Sequence, residues 1–169
     1  MKDIPDLRAP RQNLLISFAQ FRPEKDQALQ LKIWKKIQHK IPKDSKFWLL
    51  GTVRDEDDQR IVDNLKDLAK QLEIENSVEF KIGKSRTEIV EIFSQAKVAI
   101  HTMRNEHFGI AVVELMASGI VTIAHKSAGP LYDIIGGTDM PVGYLAENEN
   151  EYAMFVEMAM NNFSSPDFL

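Results

Sequence analysis

Val98-Ala99-Ile100-His101, then Asn105-Glu106-His107-Phe108-Gly109-Ile110-Ala111-Val112-Val113-Glu114-Leu115-Met116-Ala117-Ser118-Gly119, then Ile120-Val121-Thr122-Ile123-Ala124, is the stretch on which the fold turns. The outer segments are short apolar runs without alternation, the pattern of strands covered on both faces. The middle segment reads as a polar loop followed by a helix from Gly109 to Ser118 that stops at Gly119. Strand, loop, helix and strand in that order form a βαβ unit. The loop after its first strand brings backbone amides to a helix start, where an anionic ligand can rest.

The same alternation runs outward in both directions. Toward the N-terminus, the spacing predicts strands at Asn13–Phe18, Phe47–Gly51 and Val78–Lys81. Between them it predicts helices at Asp26 to about Lys40 (Leu29, Ile33 and Ile37 on one face) and at Asp57–Leu72 (Ile61, Leu65, Leu68 and Leu72). Ser85-Arg86-Thr87-Glu88 has capping-box spacing and opens a helix that carries Ile89, Ile92, Phe93 and Ala96. Toward the C-terminus come a Gly-Pro loop, a helical turn at Leu131–Ile135, a strand at Gly143–Leu145 and a helix at Asn150–Asn161. Strands alternating with helices predict an α/β fold, a Rossmann-like doubly wound parallel sheet of about six strands. Residues 1–12 read as a lead-in or linker, and 13–169 as one domain with no second one beside it.

Composition excludes several classes. A net charge of −4 leaves no basic footprint for nucleic acid. The absence of cysteine removes disulfides, Fe–S clusters and Cys-ligated zinc. No apolar run is long enough to span a bilayer, and the N-terminus lacks the apolar core of a signal peptide. The sequon Asn162-Phe163-Ser164 is read as a chance match. Neither Gly-x-Gly-x-x-Gly nor the complete phosphate loop of NTPases is present.

In an open parallel sheet, ligands bind beyond the carboxyl ends of the strands. Arg22, Lys25 and Lys126, the helix start at Gly109 and the loop at Gly51 would face one crevice there, a set suited to a phosphorylated ligand. Glu106 and Glu114 are eight residues apart, but Glu149 and Glu157 repeat that spacing, so position and not spacing gives the first pair its meaning. Glu114 lies in an apolar segment and needs a hydrogen-bonding partner, either ligand hydroxyls or a structural amide or arginine. His101, His107, His125 and Glu106 fall near strand ends, yet no His-x-x-x-His or His-Glu-x-x-His pair joins them, and no metal is expected.

Glu106-His107-Phe108-Gly109 through Glu114, followed by Met116-Ala117-Ser118-Gly119, resembles the E-x7-E signature of the retaining GT-B glycosyltransferases. Within that family the chain is most similar to the GDP-mannose-dependent α-1,2-mannosyltransferases of asparagine-linked glycosylation. The segments that carry this likeness are Gln20–Lys25, Arg54–Asp58, His101–Met103, Asn105–Ile110 and Ala124–Ser127. The resemblance implies that Arg22 and Lys25 bind the donor diphosphate. It implies that the amides of Phe108, Gly109 and Ile110 approach sugar and phosphates, that Glu106 holds sugar hydroxyls and that Glu114 holds the ribose. Gly51 and the strand end from Phe80 through Ile82 to Gly83 would flank the nucleotide.

The donor would be GDP-mannose and the acceptor a dolichol-linked oligosaccharide, with no further cofactor, on the cytoplasmic side of the endoplasmic reticulum membrane. The chain is expected to be the donor-binding half, with the acceptor domain and membrane anchor lying in other segments, and to be inactive alone. Three features depart from the family pattern: Ala19-Gln20 replaces the usual Gly-Arg, Arg104 replaces an aromatic residue, and the Gly51 loop lacks a second glycine. They leave two alternatives open: a degenerate nucleotide-binding or interaction module, or a GT-B enzyme that uses a UDP sugar.

Overall fold

The computed structural model describes residues 10–136 and 143–162. Most of the 1–12 lead-in and part of the sequon lie outside these. The strands are β1 (Gln12–Phe18), β2 (Lys46–Gly51), β3 (Val78–Ile82), β4 (Ala96–His101), β5 (Val121–His125) and β6 (Gly143–Ala146). The helices are α1 (Gln27–Ile37), α2 (Glu56–Gln71), α3 (Arg86–Gln95), α4 (Ile110–Ala117) and α5 (Glu149–Asn162). A 3-10 turn at Pro23–Lys25 and a π-helical turn at Pro130–Ile134 complete the set.

The six strands form one sheet in the order β3-β2-β1-β4-β5-β6, every neighbouring pair parallel. This is the doubly wound arrangement that the alternation predicts. The chain winds outward from β1 to β3, returns to the centre at β4 and winds the other way to β6. The order therefore reverses between β1 and β4, and their carboxyl ends open the crevice where ligands bind in such sheets.

Continuous apolar strands follow from cores on both faces. Leu15, Phe47, Leu49, Val98, Ile100 and Ile123 point to the side of α1, α2 and α5. Leu14, Ile16, Leu50 and Ala99 point the other way, against Ile92 and Phe93 of α3 and Leu115 of α4. Successive strand residues point to opposite faces, so both sets must be apolar.

Several boundaries differ from the sequence expectation. Gln12 already belongs to β1, and Arg11 donates to the carbonyls of Phe93, Ala96 and Ser118 at 2.9, 2.6 and 2.6 Å. The lead-in thus ends earlier than residue 12, because this arginine closes the C-terminal ends of α3 and the α4 region. Ala96 begins β4 and does not end α3. On α2 the fully covered line is Val62, Leu65 and Ala69, with Ile61, Leu68 and Leu72 only partly covered. That line runs on to Asp58, which is buried and bonded to the Arg54 side chain at 2.8 and 3.1 Å. Gly83-Lys84-Ser85 does end like an NTPase phosphate loop, but Val78 stands where the upstream glycine is needed, and Ser85 instead caps α3 in a capping box with Glu88.

Candidate functional site

A cleft of about 350 Å³ opens at the carboxyl ends of the central strands. Phe18, Ala19 and Gln20 after β1, Gly51 and Thr52 after β2, and His101 at the end of β4 form one part of its lining. Lys25, Ile89 of α3 and Ala111 of α4 complete it. Gly51 has no room for a side chain, since a Cβ there would lie 2.2 Å from the Ala19 carbonyl oxygen.

At the switch point the loops after β1 and β4 are tied together. Lys25 Nζ lies 2.9 Å from Glu106 Oε2 and 2.9 Å from the Met103 sulfur. The buried Thr102 hydroxyl donates to the Lys25 carbonyl at 2.7 Å and accepts from the Gln30 amide of α1 at 2.9 Å. His101 is also buried, and its Nε2 lies 3.2 Å from the same Glu106 oxygen. The hydrogen bond from His101, helped by Lys25 against the opposing effect of burial, holds the Glu106 carboxyl down at about 2. Glu106 is therefore an anion held between the Lys25 ammonium and the His101 ring, both of which line the cleft.

The start of α4 completes the site. Gly109 is its N-cap, with φ 87° and no side-chain cap, a backbone region that favours glycine. No acidic residue occupies the first turn of α4, whereas α2 carries Glu56, Asp57 and Asp58 there and is capped by Asp55. The amides at the α4 start thus keep their partial positive charge for a ligand. The loop after β5 presses on this start: Gly129 N–H donates to the Glu106 carbonyl at 2.9 Å, and a Cβ on Gly129 would lie 2.5 Å from the Phe108 oxygen.

The residues singled out from sequence fall into two groups. Lys25 and Gly51 line the cleft, Glu106 is bonded to its lining residues Lys25 and His101, and Gly109 caps the helix that contributes Ala111, with Phe108 and Ile110 largely exposed beside the α4 start. The others lie apart. Arg22 is not in the cleft lining; it leans toward Glu24 at 3.8 Å, and its Nε is buried without a hydrogen-bond partner. Lys126 is paired with Glu147 at 3.0 Å beside β6. Phe80 and Ile82 pack on the α2 side of the sheet, Phe80 against Phe21, because alternation along β3 turns both away from the cleft face. Glu114 has taken the arginine partner: Arg86 of α3 donates to it at 2.9 Å.

His125 is half-buried, which together with nearby Arg104 lowers its pKa, and its Nδ1 lies 2.8 Å from the Ser127 hydroxyl. Among the described residues no group of three or more His, Asp or Glu is placed to hold a metal ion. Sequence reasoning gave Gln30 no role, and it singled out Thr102 and Met103 only as part of the His101–Met103 segment that carries the family likeness, without their contacts to Gln30 and Lys25.

A parallel sheet wound both ways, with a lysine, a carboxylate and an uncapped helix start at its reversal point, defines an α/β protein of the doubly wound, Rossmann-like class. The chain belongs to the family described as Glycosyl transferases group 1, which matches residues 2–161. It is 45% identical over 152 residues to a Dictyostelium discoideum protein named GDP-Man:Man(3)GlcNAc(2)-PP-Dol alpha-1,2-mannosyltransferase, covering 86% of this chain and 30% of that one. It is 43% identical to the Mus musculus protein of the same name, covering 83% of this chain and 30% of that one. The chain thus spans about 30% of the length of these curated relatives. The fold is shared with solved structures at low identity. Anabaena HepE, in complex with UDP and glucose, has a TM-score of 0.74 at 20% identity, covering 90% of this chain and 40% of that one. S. aureus TarM has a TM-score of 0.78 at 20% identity, covering 96% and 31%.

Proposed function

We propose that this chain is the donor-binding part of a mannosyltransferase that moves mannose from GDP-mannose, in α-1,2 linkage, to a dolichol-linked oligosaccharide. The observation that carries the proposal is the meeting of Lys25 and Glu106 at the switch point, directly before the α4 start. The names of the relatives at 45% and 43% identity supply the donor and acceptor classes.

In this reading the donor diphosphate takes Lys25 away from Glu106 and lies across the amides of Gly109 and Ile110. Charge grows on the leaving nucleoside diphosphate in the transition state, and the Lys25 ammonium, once seated on the diphosphate, stabilises it together with the fixed helix terminus. Arg22, one turn before Lys25, reinforces that field. Glu106, freed from Lys25, accepts from sugar hydroxyls, and no metal is assigned. Among the described residues no helix is long and apolar enough to cross a membrane. The acceptor is assigned to other segments of the whole enzyme, working at the cytoplasmic face of the endoplasmic reticulum membrane.

Titration calorimetry with GDP, GDP-mannose and UDP-glucose tests the reading. GDP and GDP-mannose are expected to bind, and UDP-glucose at least about tenfold more weakly, a difference of about 1.4 kcal/mol. A preference for UDP-glucose would replace the donor assignment, and no binding of any nucleotide would overturn the enzyme reading.

A further inference from the structure

Among the described residues, Glu106 holds its side-chain partners through one of its two carboxylate oxygens. Lys25 Nζ at 2.9 Å and His101 Nε2 at 3.2 Å both meet Oε2, which leaves Oε1 for a third partner. The two partners are unlike. Lys25 sits on the 3-10 turn before α1, and its side chain is 17% exposed. His101 is 3% exposed at the end of β4, and its own carbonyl accepts from the hydroxyl of the fully buried Tyr152 of α5 at 2.9 Å. A long flexible lysine can leave for another anion, whereas a ring fixed by the central strand cannot.

We propose that His101 is the positioning residue of the sugar-binding carboxylate: it keeps Glu106 ionised and oriented after Lys25 has moved to the donor diphosphate. This rests on the donor-binding reading of the site above. The chemistry requires a donor at Nε2. A carboxylate offers only acceptor oxygens, so the 3.2 Å contact is an Nε2–H···Oε2 hydrogen bond. The Tyr152 bond to the His101 carbonyl fixes the backbone from which the ring projects. Without the ring N–H, a carboxylate that is 17% exposed would lose its lysine on donor binding and keep no fixed donor on Oε2. It would then turn or take up a proton and stop accepting from the sugar. His101 therefore affects the sugar more than the nucleotide.

Two substitutions separate this role from simple packing. His101→Leu keeps the volume and removes the N–H, and His101→Gln returns an N–H donor near the Nε2 position. By calorimetry, His101→Leu is expected to lose about tenfold more affinity for GDP-mannose than for GDP, the loss of one charge-assisted hydrogen bond. His101→Gln is expected to recover most of that loss. Nitrogen NMR of the wild-type imidazoles needs no variant. His101 should carry its proton on Nε2, and its signal should shift with GDP-mannose more than with GDP. A His101 protonated only on Nδ1 overturns the proposal, as does an unchanged preference for GDP-mannose in His101→Leu or a wild type that does not distinguish the two ligands. Failure of the wild type to bind even GDP would instead overturn the donor reading on which the proposal rests.

Discussion

Glu106 is held at about 2 against an ordinary carboxyl value of 4.5, so the folded chain binds this proton less readily than the unfolded chain does. The sign follows from linkage: a lowered folded-state value stabilises the fold above about pH 4.5, and that contribution is lost as the pH falls toward 2. Its size is on the order of 3 kcal/mol for a group this little exposed. Urea unfolding across that window is therefore expected to show a shallower acid loss for Glu106→Gln than for the wild type. Equal slopes would assign the acid sensitivity to other carboxylates, such as Glu88, which Lys84 and the Ser85 cap also hold at about 2. At this scale the sequence revealed identities but not directions. The shared strand-end position of Lys25, Glu106 and Gly109 was legible from the order of elements, although a solvated loop cation and a turn glycine leave the same pattern in sequence. Phe80 and Ile82 were not, since the face toward which an edge strand turns its side chains depends on what packs behind it. His101 was read as a conceivable metal ligand and as part of the segment carrying the family likeness, but not as the partner of Glu106, which is brought to it by a turn in the loop after β4, where Asn105 has a positive φ of 55°.

The elements meet the site in pairs, and the pair α3–α4 carries an open question of role. Arg86 of α3 reaches Glu114 of α4 at 2.9 Å, with 60% and 32% of the two side chains exposed. An ion pair that exposed contributes about 0–1 kcal/mol, so it gives little reason for a carboxylate in an otherwise apolar helix. The ribose role predicts that Glu114→Ala weakens GDP binding about tenfold, with a melting temperature close to that of the wild type. A clear fall in melting temperature with GDP binding intact would make the Arg86 bridge the purpose of Glu114. Most elements were readable from period and caps: the Ser85 capping box opens α3 as its spacing predicts. The 3-10 turn at Pro23–Lys25 was not readable, because its position depends on the Thr102 hydroxyl reaching the Lys25 carbonyl from a loop 77 residues away. The stripe of α2 also shifted by about one residue, since helical periodicity sets the width of an apolar face more firmly than its centre.

At the scale of the whole molecule, one reversal in strand order concentrates the loops after β1, β2 and β4 at a single cleft. Apolar strands and intervening helices were enough to anticipate a doubly wound sheet. The order β3-β2-β1-β4-β5-β6 is a matter of which edges pair, and only the structure gives it. The proposed donor site lies at that reversal, with the diphosphate of a nucleoside-diphosphate sugar expected between Lys25 and the start of α4. A crystal structure of the chain with GDP-mannose tests it most directly. The account predicts Lys25 Nζ within hydrogen-bond distance of the diphosphate and no longer on Glu106, the α4 amides facing the same phosphates, and Glu106 still held by His101 while it accepts from the mannose. Nucleotide bound away from this cleft, or bound within it while Lys25 stays on Glu106, would contradict the account.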